Sequence, residues 1–250
     1  TVPYTINAAS TATGGGTDYS VVGSSVTIPT NGTFQPIPVT IVDDALNEGN
    51  ETIIVNLGAE TGGTANQQAS VTMGNGTYTA TILDNDNAGI SVTPTSGLTT
   101  TEAGGTANFS VVLLSQPTGD VTIGLSSSDT TEGSVAPTGL TFTSVNWNVA
   151  QTVTVTGVDD LIVDGSVAYT INTASATSSD SNYNGVNPAN VSVSNSDNDS
   201  AGITVSPTTG LVTTEAGGTA TFTVVLNSEP SADVSVGLTS SDTTEGTVAP

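Results

Sequence analysis

The sequence predicts an all-β chain of tandem, Ig-like antiparallel sandwiches with about seven strands to a unit, and two patterns carry that prediction. One is an internal repeat. Ala88 to Pro137 aligns without gaps on Ala201 to Pro250, with 36 of 50 positions identical at an offset of 113 residues. The other is period-two alternation of apolar residues, with Thr and Ser on the outward positions and Gly, Asn, Asp and Pro at short intervals between segments. No stretch carries the three-to-four spacing of an amphipathic helix.

Taken in order, residues 1–87 read as a unit lacking its first strands, with Ile53, Val55 and Leu57 as one inward face. Residues 88–200 read as a complete unit, in which Ala107, Phe109, Val111 and Leu113 alternate inward. Residues 201–250 repeat only the opening part, with Ala220, Phe222, Val224 and Leu226 in the same places. A unit near 110 residues is the size of one domain. Half a sandwich leaves an apolar face and unpaired strand groups in water, so two readings stay open for the ends. Either the natural chain is longer, or neighbouring subunits complete each other's sandwiches. Trp147, the only Trp, is expected to cap the end of a core rather than stack on a sugar.

The charge is one-sided. The chain has no Lys, Arg, His or Cys against 23 Asp and Glu, a formal charge of −23. Serine and cysteine triads, Schiff-base lysines and arginine clamps are therefore excluded, and aromatics at 4% are too few for a sugar-binding cleft, so an enzyme is not expected. Nucleic acid and anionic membrane surfaces are disfavoured as partners because their affinity comes from cationic side chains. Metals that require His or Cys are excluded too, which leaves hard cations held by oxygen, chiefly Ca2+. A hydrophobic fraction of 35% against only 9% charged residues argues for a folded chain despite the acidity. No run of about 18 apolar residues suggests a membrane-spanning helix.

The carboxylates gather at strand ends. In the first unit they are Asp18, Asp43, Asp44, Glu48, Glu51, Asp84 and Asp86. Any one of them alone reads as a turn residue; the combination of a DD pair, an acid four residues on, another three later and a terminal DxD is harder to read that way. The segments GTDY, IPVTIVDD, NEGNET and ATILDND resemble the Calx-β domain, an Ig-like sandwich. Members of that family occur in sodium–calcium exchangers, integrin β4 and very large bacterial surface proteins, and in exchanger members the loops at one end bind a calcium cluster. The resemblance implies that those seven acids are calcium ligands, with Asn85 departing from a fully acidic final triplet. In the middle unit the matching places hold Glu102, Glu132, Asp159, Asp160, Asp164, Asp197 and Asp199, while Val167 stands where Glu51 aligns and removes one ligand. The third unit offers Glu215 and Glu245.

The function expected is structural: an extracellular stalk, sheath or filament on a bacterial cell surface, made of calcium-stabilised units stacked end to end and partnered by other copies of itself. An adhesin or ligand-binding module, with glycans or other surface proteins as partners, is the alternative.

Overall fold

The computed structural model describes residues 1–32, 34–61 and 76–249. All of the regular elements in that set are β-strands. The first unit holds β1 (Val2–Ile6), β2 (Tyr19–Val21), β3 (Ser25–Val26), β4 (Val39–Ile41), β5 (Glu51–Leu57) and β6 (Thr77–Ile82). The middle unit holds β7 (Ile90–Thr93), β8 (Leu98–Thr101), β9 (Thr106–Leu113), β10 (Val121–Ser127), β11 (Gly133–Ala136), β12 (Gly139–Phe142), β13 (Gln151–Gly157), β14 (Val167–Thr173), β15 (Thr177–Ser178) and β16 (Val191–Ser196). The third holds β17 (Ile203–Ser206) and β18 (Thr223–Leu226).

The middle unit is a two-sheet sandwich. One sheet runs β12-β10-β14-β16-β8, with β15 also paired to β10; the other runs β11-β13-β9-β7. Every pairing is antiparallel except β16 with β8. Ten strand segments replace the seven expected, partly because the opening strand is interrupted between Pro94 and Gly97. Gly97 takes a φ of 78°, which favours glycine, and the chain crosses there from one sheet to the other.

Alternation sets the core. Phe109, Val111 and Leu113 of β9, Val121, Ile123 and Leu125 of β10, and Val153 and Val155 of β13 are buried, each on every second residue, while the Thr and Ser between them face outward or sit half-buried. Burying each such side chain is worth about 1.5–3 kcal/mol. Trp147 is partly buried and packs against this cluster.

The first unit repeats the layout with fewer strands, as β3-β1-β5-β6 and β2-β4. Its buried cluster is Ala12, Tyr19 and Ile53. Registers fix the correspondence between units: Tyr19 pairs with Ile41 as Gly133 pairs with Gly157, and Glu51 pairs with Ile82 as Val167 pairs with Asn195. In the third unit β17 and β18 pair with each other only, and Phe222 and Val224 are 36% and 37% exposed, where the matching Phe109 and Val111 are 2% and 0% exposed. Among the described residues no second sheet lies over them.

Successive units meet through backbone. The Gln116 N–H donates to the Ala45 carbonyl at 2.7 Å, and the Glu229 N–H donates to the Leu161 carbonyl at 2.6 Å. Gln116 and Glu229 occupy the same place in their repeats, as do Ala45 and Leu161. Leu46 also forms a parallel bridge with Gln116, and Asn182 Nδ2 reaches the Asn47 carbonyl at 2.7 Å.

Candidate metal centres

The β4–β5 and β13–β14 connections each begin with a pair of Asp, and their backbones are shaped by those carboxylates. Asp44 Oδ1 accepts the Leu46 N–H at 2.8 Å, and Asp160 Oδ1 accepts the Ile162 N–H at 2.7 Å. Each loop then turns back toward the acid at the start of the preceding short strand. In the first unit Asp18, Asp44 and Glu48 bring one carboxylate oxygen each within 4.8 Å of one another; in the middle unit Glu132, Asp160 and Asp164 do the same. These are equivalent positions in the two repeats. Oxygens that each sit 2.3–2.6 Å from one Ca2+ are at most about 5 Å apart, so both triads are close enough to share an ion.

A second group in the middle unit joins Glu102, Asp197 and Asp199 under the same distance limit. Asp197 is held rigidly, with Oδ2 accepting the Gly165 N–H at 2.8 Å and Oδ1 accepting the Asp199 N–H at 2.6 Å. Asp84 repeats this, taking the Glu48 and Gly49 N–H groups at 3.0 Å on Oδ2 and the Asp86 N–H at 3.0 Å on Oδ1. These bonds hold Asp84 and Asp197 below the usual carboxylate range, the Asp86 and Asp199 N–H groups contributing most.

The other acids are pushed the opposite way. Burial first, then the Asp44, Asp18 and Asp84 charges, raise Glu48; burial and the neighbouring Asp18 carboxyl raise Glu51. Burial raises Glu132 against a lowering hydrogen bond from Asn195. The Asn198 N–H pulls Glu102 down, but burial and Asp197 carry it up overall. Burial, then Asp84 and Asp197 respectively, raise Asp86 and Asp199. Asp18, Glu102 and Glu132 are 8%, 3% and 5% exposed, and no cationic side chain exists in the sequence to neutralise them.

All seven acids singled out in the first unit line one cavity of about 290 Å3 between the β4–β5 loop and the segment after β6. Asp43 and Asp159 accept the Asn85 and Asn198 side-chain amides at 3.3 and 2.9 Å. Asn85 is thus a donor to a carboxylate at the start of the β4–β5 loop, a part that an ionised Asp in its place would not play. Glu215 and Glu245 are exposed and join no acidic group among the described residues. Asn195, which hydrogen-bonds Glu132, was not marked by any acidic motif.

The donor set is oxygen throughout. Asp199 Oδ2 is buried with no hydrogen-bond partner, as a carboxylate oxygen reserved for a cation would be. The residues present therefore fit a hard divalent ion.

The profile of the Calx-beta domain matches residues 1–86, 84–199 and 196–248. Among solved structures, the apo-form Calx CBD1 domain is similar at 17% identity, covering 44% of this chain and 96% of that one with a TM-score of 0.34. CBD12 from CALX1.2 matches at 17% identity, covering 77% and 85% with a TM-score of 0.40. Domains 4 and 5 of the S-layer protein SbsC match at 20% identity, covering 75% and 74% with a TM-score of 0.31. No curated protein sequence matches the chain.

Proposed function

The chain belongs to the Calx-beta domain family as a tandem of β-sandwich units, and from that premise we propose that it is a structural array whose units are stabilised by calcium. The observation that carries the reading is the recurrence of one carboxylate triad, Asp18, Asp44 and Glu48 in one unit and Glu132, Asp160 and Asp164 in the next, in a chain without a single Lys or Arg. Such triads repel themselves unless a cation sits among them. Calcium accepts six to eight oxygens in a flexible shell, which suits carboxylates on loops better than the strict octahedron of magnesium.

In the first unit Asp18, Asp44 and Glu48 hold an ion, with Glu51, Asp84 and Asp86 around it. In the middle unit Glu132, Asp160 and Asp164 hold one, and Glu102, Asp197 and Asp199 hold another. The bound ion supplies charge neutralisation and cross-links a loop between strands to the segment leading into the next unit. Weak sites of this kind fill at the calcium levels found outside cells, which is why an extracellular setting, at a bacterial surface, accompanies the proposal. Other copies of the chain, or further units of a longer one, are the partners it fits: the repeated backbone bond between units extends to any number of them. The residue inventory supports a non-enzymatic part.

Chelation tests the reading. In EGTA the melting temperature should fall by several degrees and recover on adding calcium. An unchanged melting curve overturns the calcium reading. Electron microscopy of native material should show continuous fibres with a repeat of one or a few domains, and isolated beaded monomers overturn the filament.

A further inference from the structure

Between the two units that carry the shared triad, three positions around the innermost acid change together. The innermost acid is Asp18 in the first unit and Glu132 in the middle one, equivalent by register. Opposite it the first unit pairs Glu51 with Ile82 across β5 and β6, whereas the middle unit pairs Val167 with Asn195 across β14 and β16. Ile41 in the first unit is Gly157 in the middle one.

These differences have a single physical account. In the first unit Glu51 lines the same cavity as Asp18, and burial together with the neighbouring Asp18 carboxyl holds its own carboxyl above the ordinary range. In the middle unit the second acid is gone, and Asn195 Nδ2 donates to Glu132 Oε2 at 3.4 Å and to the Val158 carbonyl at 3.0 Å. Asn195 is 1% exposed, and its Oδ1 accepts the Thr100 hydroxyl at 2.9 Å, which in turn meets the Tyr169 hydroxyl at 3.1 Å. That arrangement fixes which way the amide points, because the reversed amide would set its oxygen against two acceptors. Room for it depends on Gly157: a Cβ there would lie 2.5 Å from Asn195 Oδ1 and 2.3 Å from the Thr101 carbonyl oxygen.

We propose that Asn195 is the positioning residue of the middle unit's inner cation site, holding Glu132 with a neutral amide in a unit whose Val167 stands where the first unit has the Glu51 carboxylate, and so making that site one charge poorer. The inference rests on the cation reading above. The array then carries two grades of site: the first unit's binds tighter and destabilises its unit more when empty, and the middle unit's binds more weakly and tolerates the loss of its ion. Asn195 acts through Glu132 and is not itself a ligand.

Three variants of the whole chain test this, read by calcium titration calorimetry and by melting of the calcium-free chain followed through Trp147, which reports the middle unit. Val167→Glu should tighten the middle site about tenfold, since affinity in calcium sites follows the number of charged ligands. Asn195→Ile should weaken it and lower the calcium-free melting temperature. The double variant V167E/N195I, which rebuilds the first unit's pair, should recover binding tighter than wild type while its calcium-free form stays less stable, a split that a purely structural asparagine would not give. Should Asn195→Ile bind like wild type, or Val167→Glu fail to tighten the site, the inference is overturned while the calcium reading stands. A wild-type chain that takes up no calcium overturns both.

Discussion

Glu48, Glu51, Glu132, Asp86 and Asp199 share a condition that their sequence neighbours do not: burial among like charges holds their carboxyls above the ordinary range, and Glu102 joins them in spite of the Asn198 N–H. Asp84, Asp197, Asp129 and Asp180 are held below it, the first three by N–H or hydroxyl donors and Asp180 by the Thr118 N–H working against burial. The two sets act in separate pH windows. A raised group binds its proton more readily folded than unfolded, so its destabilisation is fully present at neutral pH and is relieved as pH falls through the raised value toward about 4, the ordinary carboxylate range. A lowered group gives stability that is lost only as pH falls further. The calcium-free chain should therefore melt higher at pH 5 than at pH 7 and lower again below about pH 4, whereas with excess calcium acidification should only destabilise, because protons displace the ion. A calcium-free melting temperature that is flat or falling between pH 7 and 5 would count against the clustered carboxylates. The acids themselves were legible in the sequence, because a DD pair and a DxD at strand ends are visible without a fold. Asn195 was not: in VSVSNSDND it reads as one more polar strand residue, and its partners Thr100 and Glu132 lie 95 and 63 residues away. The amide of Asn85 was visible only as a missing acid, and its donor role, like that of Asn198, depends on which carboxylate the fold sets opposite it.

At the scale of the strand, alternation predicts which face is inward but not whether anything covers it. The segments around Phe109 and Phe222 are nearly identical, and β9 and β18 both form. Their environments differ because β9 lies between β13 and β7 with the β10 sheet packed over it, while among the described residues β18 has β17 alone beside it. Substitution separates propensity from packing here. Phe109→Ala should cost the middle unit about 3–5 kcal/mol, the range for opening a cavity in a closed core. Phe222→Ala, at a side chain already 36% exposed, should leave the urea unfolding of the whole chain, followed by far-ultraviolet circular dichroism, within about 0.5 kcal/mol of wild type. Equal effects would mean that the third unit is packed as tightly as the middle one. The fold class was legible from this alternation together with the repeat. The division of the opening strand into β7 and β8, in opposite sheets, was not. Pro94 and Gly97 mark a turn, but only pairing with β9 on one side and with β16 on the other shows that the chain changes layers.

The molecule as a whole is organised by one loop in each of its first two units. The β4–β5 loop carries Asp44 and Glu48 toward the acidic cavity while its Ala45 and Asn47 carbonyls accept bonds from Gln116 and Asn182 of the next unit; the β13–β14 loop carries Asp160 and Asp164 while its Leu161 carbonyl accepts from Glu229. A clasp made of peptide groups depends little on side-chain identity, which explains how Gln116 and Glu229 serve the same position. The contact common to both junctions is one backbone N–H donor, to which the first junction adds the Asn182 side-chain amide. Gln116→Pro removes that donor and leaves every carboxylate and every core residue in place. The Trp147-reported melting temperature should therefore change little, while small-angle scattering in calcium should show a broader distribution of inter-unit distances than wild type. Adding Glu229→Pro should broaden it further, because the two junctions are separate copies of one contact. Scattering that superimposes on wild type for the double variant would show that the backbone clasp does not order the array, and would leave bound ions and the short Asp84–Asp86 and Asp197–Asp199 connectors as the elements that do.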